Sequence, residues 1–225
     1  RGIALALMIG YHFFFDLNYF GLAQLDFNND PFWLGARTFI LSLFLGLVGV
    51  SMRLFYERGW VWQKYWQRLV WIGVSAIIVS LASWVMFPDS MIFFGVLHFI
   101  AVASVLALVF LRGYISNLAL GVLIIIVGST LTHPFFDQPW MQWLGFMTHK
   151  PITQDYVPLF PWLGVVLIGL FLGKVLITSP RLGWILGWRN QNQLLRGLAY
   201  AGRHSLIIYM IHQPILIAII YFLLT

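Results

Sequence analysis

Apolar residues in this chain come in long runs separated by short polar connections. A run that can cover about 30 Å of hydrocarbon at 1.5 Å per residue predicts a transmembrane helix. Such runs fall at 2–21, 33–55, 69–87, 91–111, 117–131, 159–177 and 204–224, the fifth only barely long enough. They predict an all-α integral membrane protein, a bundle of about seven transmembrane helices, forming one domain over residues 1–225. Pro88-Asp89-Ser90 predicts a tight turn at the membrane surface between the third and fourth spans. Two connections are long enough to have a shape. The first, 132–158, is rich in aromatic residues. The second, 179–202, mixes Leu, Trp and Ile with Arg and Gln, the pattern of an amphipathic interfacial segment. No repeat or low-complexity tract interrupts this pattern.

Composition narrows the class. Hydrophobic residues make up 61% of the chain and charged residues 9%, against roughly a quarter charged in a soluble domain. With no cysteine, neither a disulfide framework nor a thiolate metal site is available. The first residue is Arg1 rather than methionine, so the start reads as trimmed and says nothing of a preceding targeting signal.

Charge gives the bundle a direction. If Arg1 is cytoplasmic, alternate connections add Arg53, Arg58, Lys64, Arg68, Arg112, Lys174, Arg181, Arg189, Arg196 and Arg203 to that side. Only Arg37 and Lys150 of the 13 basic residues fall opposite, beside Asp26, Asp30, Asp89, Asp137 and Asp155. Basic residues favour the cytoplasmic side of short loops, so the amino end is expected inside and the carboxyl end outside, in a cytoplasmic (inner) membrane. The net charge of +6 sits at helix ends, which points to lipid headgroups rather than nucleic acid. Some of these cations are also candidates to hold a phosphorylated donor, because guanidinium donors match phosphate oxygens in pairs. Arg37 breaks the rule; pairing with Asp26 or Asp30 and binding an anionic or carbonyl group of a substrate both remain open.

Ionisable residues within spans cost at least roughly 2.5 kcal/mol each at the bilayer centre. His12 and Asp16 lie at i and i+4 on one face of the first span. A carboxylate beside an imidazole suits a general base; an interhelical polar seam is the structural alternative. His98, in the fourth span with Gly95 one turn away, reads first as a structural hydrogen bonder. In the last span Ser205, Tyr209 and His212 form a polar stripe ahead of Pro214, where a kink and a free Met210 carbonyl are expected. His133 and His149 in the outer loop lack metal-ligand spacing, so no metal is expected.

Four segments then resemble a known family. Arg1-Gly2 with His12 resembles the Arg-x10-His opening of membrane O-acyltransferases. Tyr11-His12-Phe13-Phe14-Phe15-Asp16-Leu17, Phe94-Gly95-Val96-Leu97-His98-Phe99, Pro158-Leu159-Phe160-Pro161-Trp162-Leu163-Gly164 and Gly202 through Pro214 together resemble bacterial proteins grouped with the catalytic domain of heparan-α-glucosaminide N-acetyltransferase. The resemblance implies an acyltransferase that moves acetyl, or another acyl group, from acetyl-CoA or another acyl-CoA to an extracytoplasmic sugar or glycan. It implies His12 as general base with Asp16 beside it and His98 in reserve. Arg1, Arg37, Arg53, Arg68, Arg203, Tyr209 and His212 are the expected donor- and substrate-binding residues. The chain is shorter than the O-acyltransferases, and heparan sulfate is not carried over as its substrate. Two other classes stay in view: a proton-coupled transporter using the His12/Asp16 pair, and a silent helical subunit. The sequence does not set the oligomeric state.

Overall fold

The computed structural model describes residues 1–187 and 192–224; Arg189, one of the expected cytoplasmic cations, lies outside them. The described residues form α1 (Gly2–Tyr19), α2 (Pro31–Glu57), α3 (Trp62–Met86), α4 (Val96–Phe110), α5 (Ile115–Thr130), α6 (Leu159–Thr178), α7 (Gly183–Gly187), α8 (Gln193–Arg203) and α9 (Ser205–Leu224). Short 3-10 turns occupy Pro88–Ser90, Pro134–Asp137 and Gln142–Leu144. The expected all-α class holds, and α1 to α6 and α9 fall on the seven apolar runs. Among the described residues, α2, α3, α6 and α9 are long and apolar enough to cross a membrane, and α4 and α5 are shorter apolar helices. The outward face of α3 carries Val70, Trp71, Ile77, Leu81 and Val85, which suits a hydrocarbon solvent.

Several boundaries move for physical reasons. α3 starts seven residues before the expected 69, because Trp62–Arg68 continues the helix in a polar, aromatic register ahead of the apolar run. α4 starts at Val96, not 91. Residues ahead of it pair with the 132–158 connection instead: Val157 N–H donates to the Phe94 carbonyl at 3.1 Å, and Gln154 N–H to the Ser90 carbonyl at 3.0 Å. α9 runs through Pro214 as one helix, so the expected kink does not break it. The expected amphipathic segment contains α8, which has Leu194 and Tyr200 exposed beside Arg196.

Contacts group the chain into two units, with the boundary inside α2. One holds residues 1–44 and the described residues from 192 on. Here α1 packs on α8 and α9. Gly2 has no room for a side chain, since a Cβ would overlap the Leu198 backbone carbonyl. The connection 20–30 folds back on α1 through Phe27, whose ring lies 4.4 Å from Trp33 and 5.3 Å from Tyr11.

The other unit, Leu45–Gly187, is closed by small residues at helix crossings, the usual means by which membrane helices approach. Gly121 of α5 faces the Gly164 carbonyl of α6, and Gly49 of α2 faces the Val166 carbonyl. Leu97, Phe99, Ala103, Leu163, Val166 and Leu170 form its core.

Candidate active site

The polar residues of α1 and α9 meet inside the first unit. Asp16 is 2% exposed, and its Oδ1 accepts a hydrogen bond of 2.6 Å from Gln213 Nε2. The His12 and His212 rings lie 5.0 Å apart, edge to face. His212 Nδ1 donates to the Tyr209 carbonyl at 2.6 Å, because a carbonyl can only accept. When the ring is neutral, this contact puts its proton on Nδ1 and leaves the lone pair on Nε2. Tyr209 packs against His212 at 5.5 Å.

Four buried atoms of this cluster have no hydrogen-bond partner: His12 Nδ1, Asp16 Oδ2, His212 Nε2 and Gln213 Oε1. A buried polar atom without a partner costs about 1–3 kcal/mol. Two of the four, Asp16 Oδ2 and Gln213 Oε1, are oxygen acceptors. The expected contact of Asp16 with His12 is not formed. Asp16 turns instead to Gln213, whose amide lies next to Pro214 on α9.

The other expected residues occupy different surroundings. In the second unit, both ring nitrogens of His98 are in use: Nδ1 accepts from Gly95 N–H at 3.3 Å, and Nε2 lies 3.1 Å from Ser80 Oγ. Ser80 in turn donates to the Ile92 carbonyl at 2.6 Å. His98 thus ties α3 to the start of α4, the structural role its isolation suggested. Asp155 closes the same corner, accepting from Val96 N–H at 2.8 Å, and a Cβ at Gly95 would collide with its carboxylate. Burial there pushes the Asp155 carboxyl above the ordinary carboxylate range. Burial also pushes the Tyr156 hydroxyl, which donates to Gln142, up to about 12.

Arg53 is not placed for a soluble donor. Only 3% exposed, it donates to the carbonyls of Leu111 and Gly113 and pairs with Glu57 at 2.9 Å. Glu57 also takes Lys174 at 2.9 Å. Arg1, Arg68 and Arg203 are exposed, Arg1 just ahead of α1, Arg68 in the second turn of α3 and Arg203 in the last turn of α8. Arg37 is exposed on α2 and pairs with neither acid. Asp26 caps Asn28 and Asn29, whose donors hold its carboxyl below the usual range, and Asp30 caps Phe32. Among the described residues no group of three or more His, Cys, Asp or Glu is arranged to hold a metal ion.

A family model described as heparan-alpha-glucosaminide N-acetyltransferase, catalytic, matches residues 1–214. The chain belongs to that family. Comparison with curated proteins and with solved structures gave no match. For this member of the N-acetyltransferase catalytic family, the match covers Arg1, Gly2 and the whole α1–α9 cluster through Gln213 and Pro214. At family level the protein is a membrane acetyltransferase. The glycine beside Arg1 has a local reason in this fold, because α1 and α8 touch through their backbones there.

Proposed function

We propose that this protein transfers an acetyl group, or another acyl group, from acyl-CoA to a sugar or glycan acceptor on the extracytoplasmic side of a cytoplasmic membrane, and that residues 1–225 act as one domain. The observation that carries this reading is the buried cluster of His12, Asp16, His212 and Gln213 with its four unpartnered atoms. A family match running through both contact units supports the single domain.

In this reading His12 is the general base. The acceptor hydroxyl or amine attacks the thioester carbonyl, and His12 takes its proton. The tetrahedral adduct collapses, the C–S bond breaks, and the CoA thiolate leaves with that proton restored to it. His212, with its lone pair fixed on Nε2, and Tyr209 orient the acceptor. Asp16, held by Gln213, stabilises the imidazolium across the cluster. Arg1, Arg68 and Arg203 are the proposed donor contacts, and Arg37 the acceptor contact. Arg53 and His98 drop to structural roles, because their donors and acceptors are already committed.

The test is acetyl-CoA binding and CoA release by detergent-purified protein, wild type beside His12→Ala. Binding by both with turnover only in the wild type supports the reading. Full turnover by the variant removes His12 as base. Solute uptake driven by a pH gradient, without any CoA binding, replaces transfer with transport.

A further inference from the structure

A second place carries chemistry that the α1–α9 cluster does not use. The connection from α2 to α3 and the end of α4 border an open groove of about 490 Å³, lined by Tyr56, Trp60, Trp62, Leu108 and Arg112. Gly59 makes the turn possible. Its φ of +100° lies in the left-handed region that a side chain resists, and it folds Trp60 back against Tyr56 and Tyr65 at ring distances of 6.2 and 5.1 Å. Trp62 is 56% exposed and stacks on Trp66 with an interplanar angle of 23°. The groove is thus walled by flat rings, one of them open to a further stacking partner.

Two polar features specify the occupant. Trp60 Nε1 is buried and has no hydrogen-bond partner, an unmet donor on a residue that lines the groove. Arg112 lies on the rim, exposed and without an ion pair among the described residues, and Arg58 and Lys64 flank the same connection, both exposed. Rings for stacking, a buried donor and a cationic rim match an aromatic base that carries phosphates. A lipid headgroup offers the phosphate but no ring.

We propose that this groove binds the adenine nucleotide end of the acyl-CoA donor, with Trp62 stacking on the base, Trp60 donating to one of its ring nitrogens and Arg112 meeting a phosphate. The inference rests on the acyl-CoA reading above. It assigns recognition of the donor's nucleotide to residues outside the Arg-x10-His motif.

Calorimetry on purified protein tests it, with CoA and with pantetheine, which lacks the nucleotide, as probes. Trp62→Ala and Arg112→Gln, both at exposed positions, are compared with wild type after a thermal-unfolding check. The expected result is CoA affinity weakened about tenfold or more in each variant, with pantetheine binding unchanged. Equal CoA binding by folded variants and wild type overturns the groove and leaves the acyl-CoA reading standing. Variants that lose retention of anionic lipid in nanodiscs but keep CoA binding also overturn it, making the groove a headgroup site. A folded wild type that binds no CoA overturns both.

Discussion

Asp16 carries a carboxylate into an apolar span, and a single amide answers it. Gln213 is the one side chain that donates to it among the described residues, and the two lie on helices joined only through the rest of the chain. Gln213→Leu leaves the carboxylate buried without that donor. The expected cost is about 1–3 kcal/mol, read as a lower midpoint of thermal unfolding in detergent; an unchanged midpoint would show the bond contributes nothing. Gly2 tests packing at the other end of the same unit. Gly2→Ala puts a methyl into the Leu198 carbonyl and is expected to destabilise by about 1–3 kcal/mol. Gly10→Ala on the same helix has nothing within 4 Å and should be neutral or slightly stabilising, since alanine favours helix. Equal midpoints for the two variants would refute the close α1–α8 approach.

At the scale of elements, long spans were readable because burying backbone polar groups in lipid forces helices onto apolar runs. Their ends were less readable, because they are decided by partners far along the chain. The start of α4 depends on Asp155, 59 residues after Val96, and no local pattern announces that. Asp16 and Gln213, 197 residues apart, illustrate the same limit in the site. His212 and Tyr209, by contrast, lie three apart on one helix and were placed together from spacing alone. Arg53 read as a donor contact from its charge, although Glu57 four residues on was a local hint of its pairing. The α4 corner yields a prediction with a defined sign. A carboxyl whose folded pKa lies above its ordinary 3.8 holds its proton more tightly when folded. Stability from Asp155 is therefore full at acid pH and declines as pH rises from 3.8 through the folded value. Asp155→Asn keeps an oxygen for Val96 N–H and should flatten that decline, while Asp155→Ala loses the cap and lowers stability throughout. Unfolding midpoints measured from acid to neutral pH check both, and parallel curves for wild type and Asp155→Asn would exclude the raised pKa.

For the molecule as a whole, the charge split and the two proposed sites make one demand: the donor groove must face the cytoplasm and the 132–158 loop must face away from it. That orientation follows from basic residues crossing poorly, and it can be tested directly. The chain has no cysteine, so one introduced thiol reports its own side without background. Ile152, 83% exposed in the 132–158 loop, and Lys64, exposed at the start of α3 beside the groove, are suitable positions. Ile152→Cys in intact cells should react with a membrane-impermeant maleimide, and Lys64→Cys should react only after the membrane is opened. The reverse pattern would turn the groove away from cytosolic CoA. A nucleotide handle on that face could not then capture the donor, whatever its affinity in detergent. Agreement in both positions would put acyl-CoA capture and acceptor access on opposite faces, as transfer across a membrane requires.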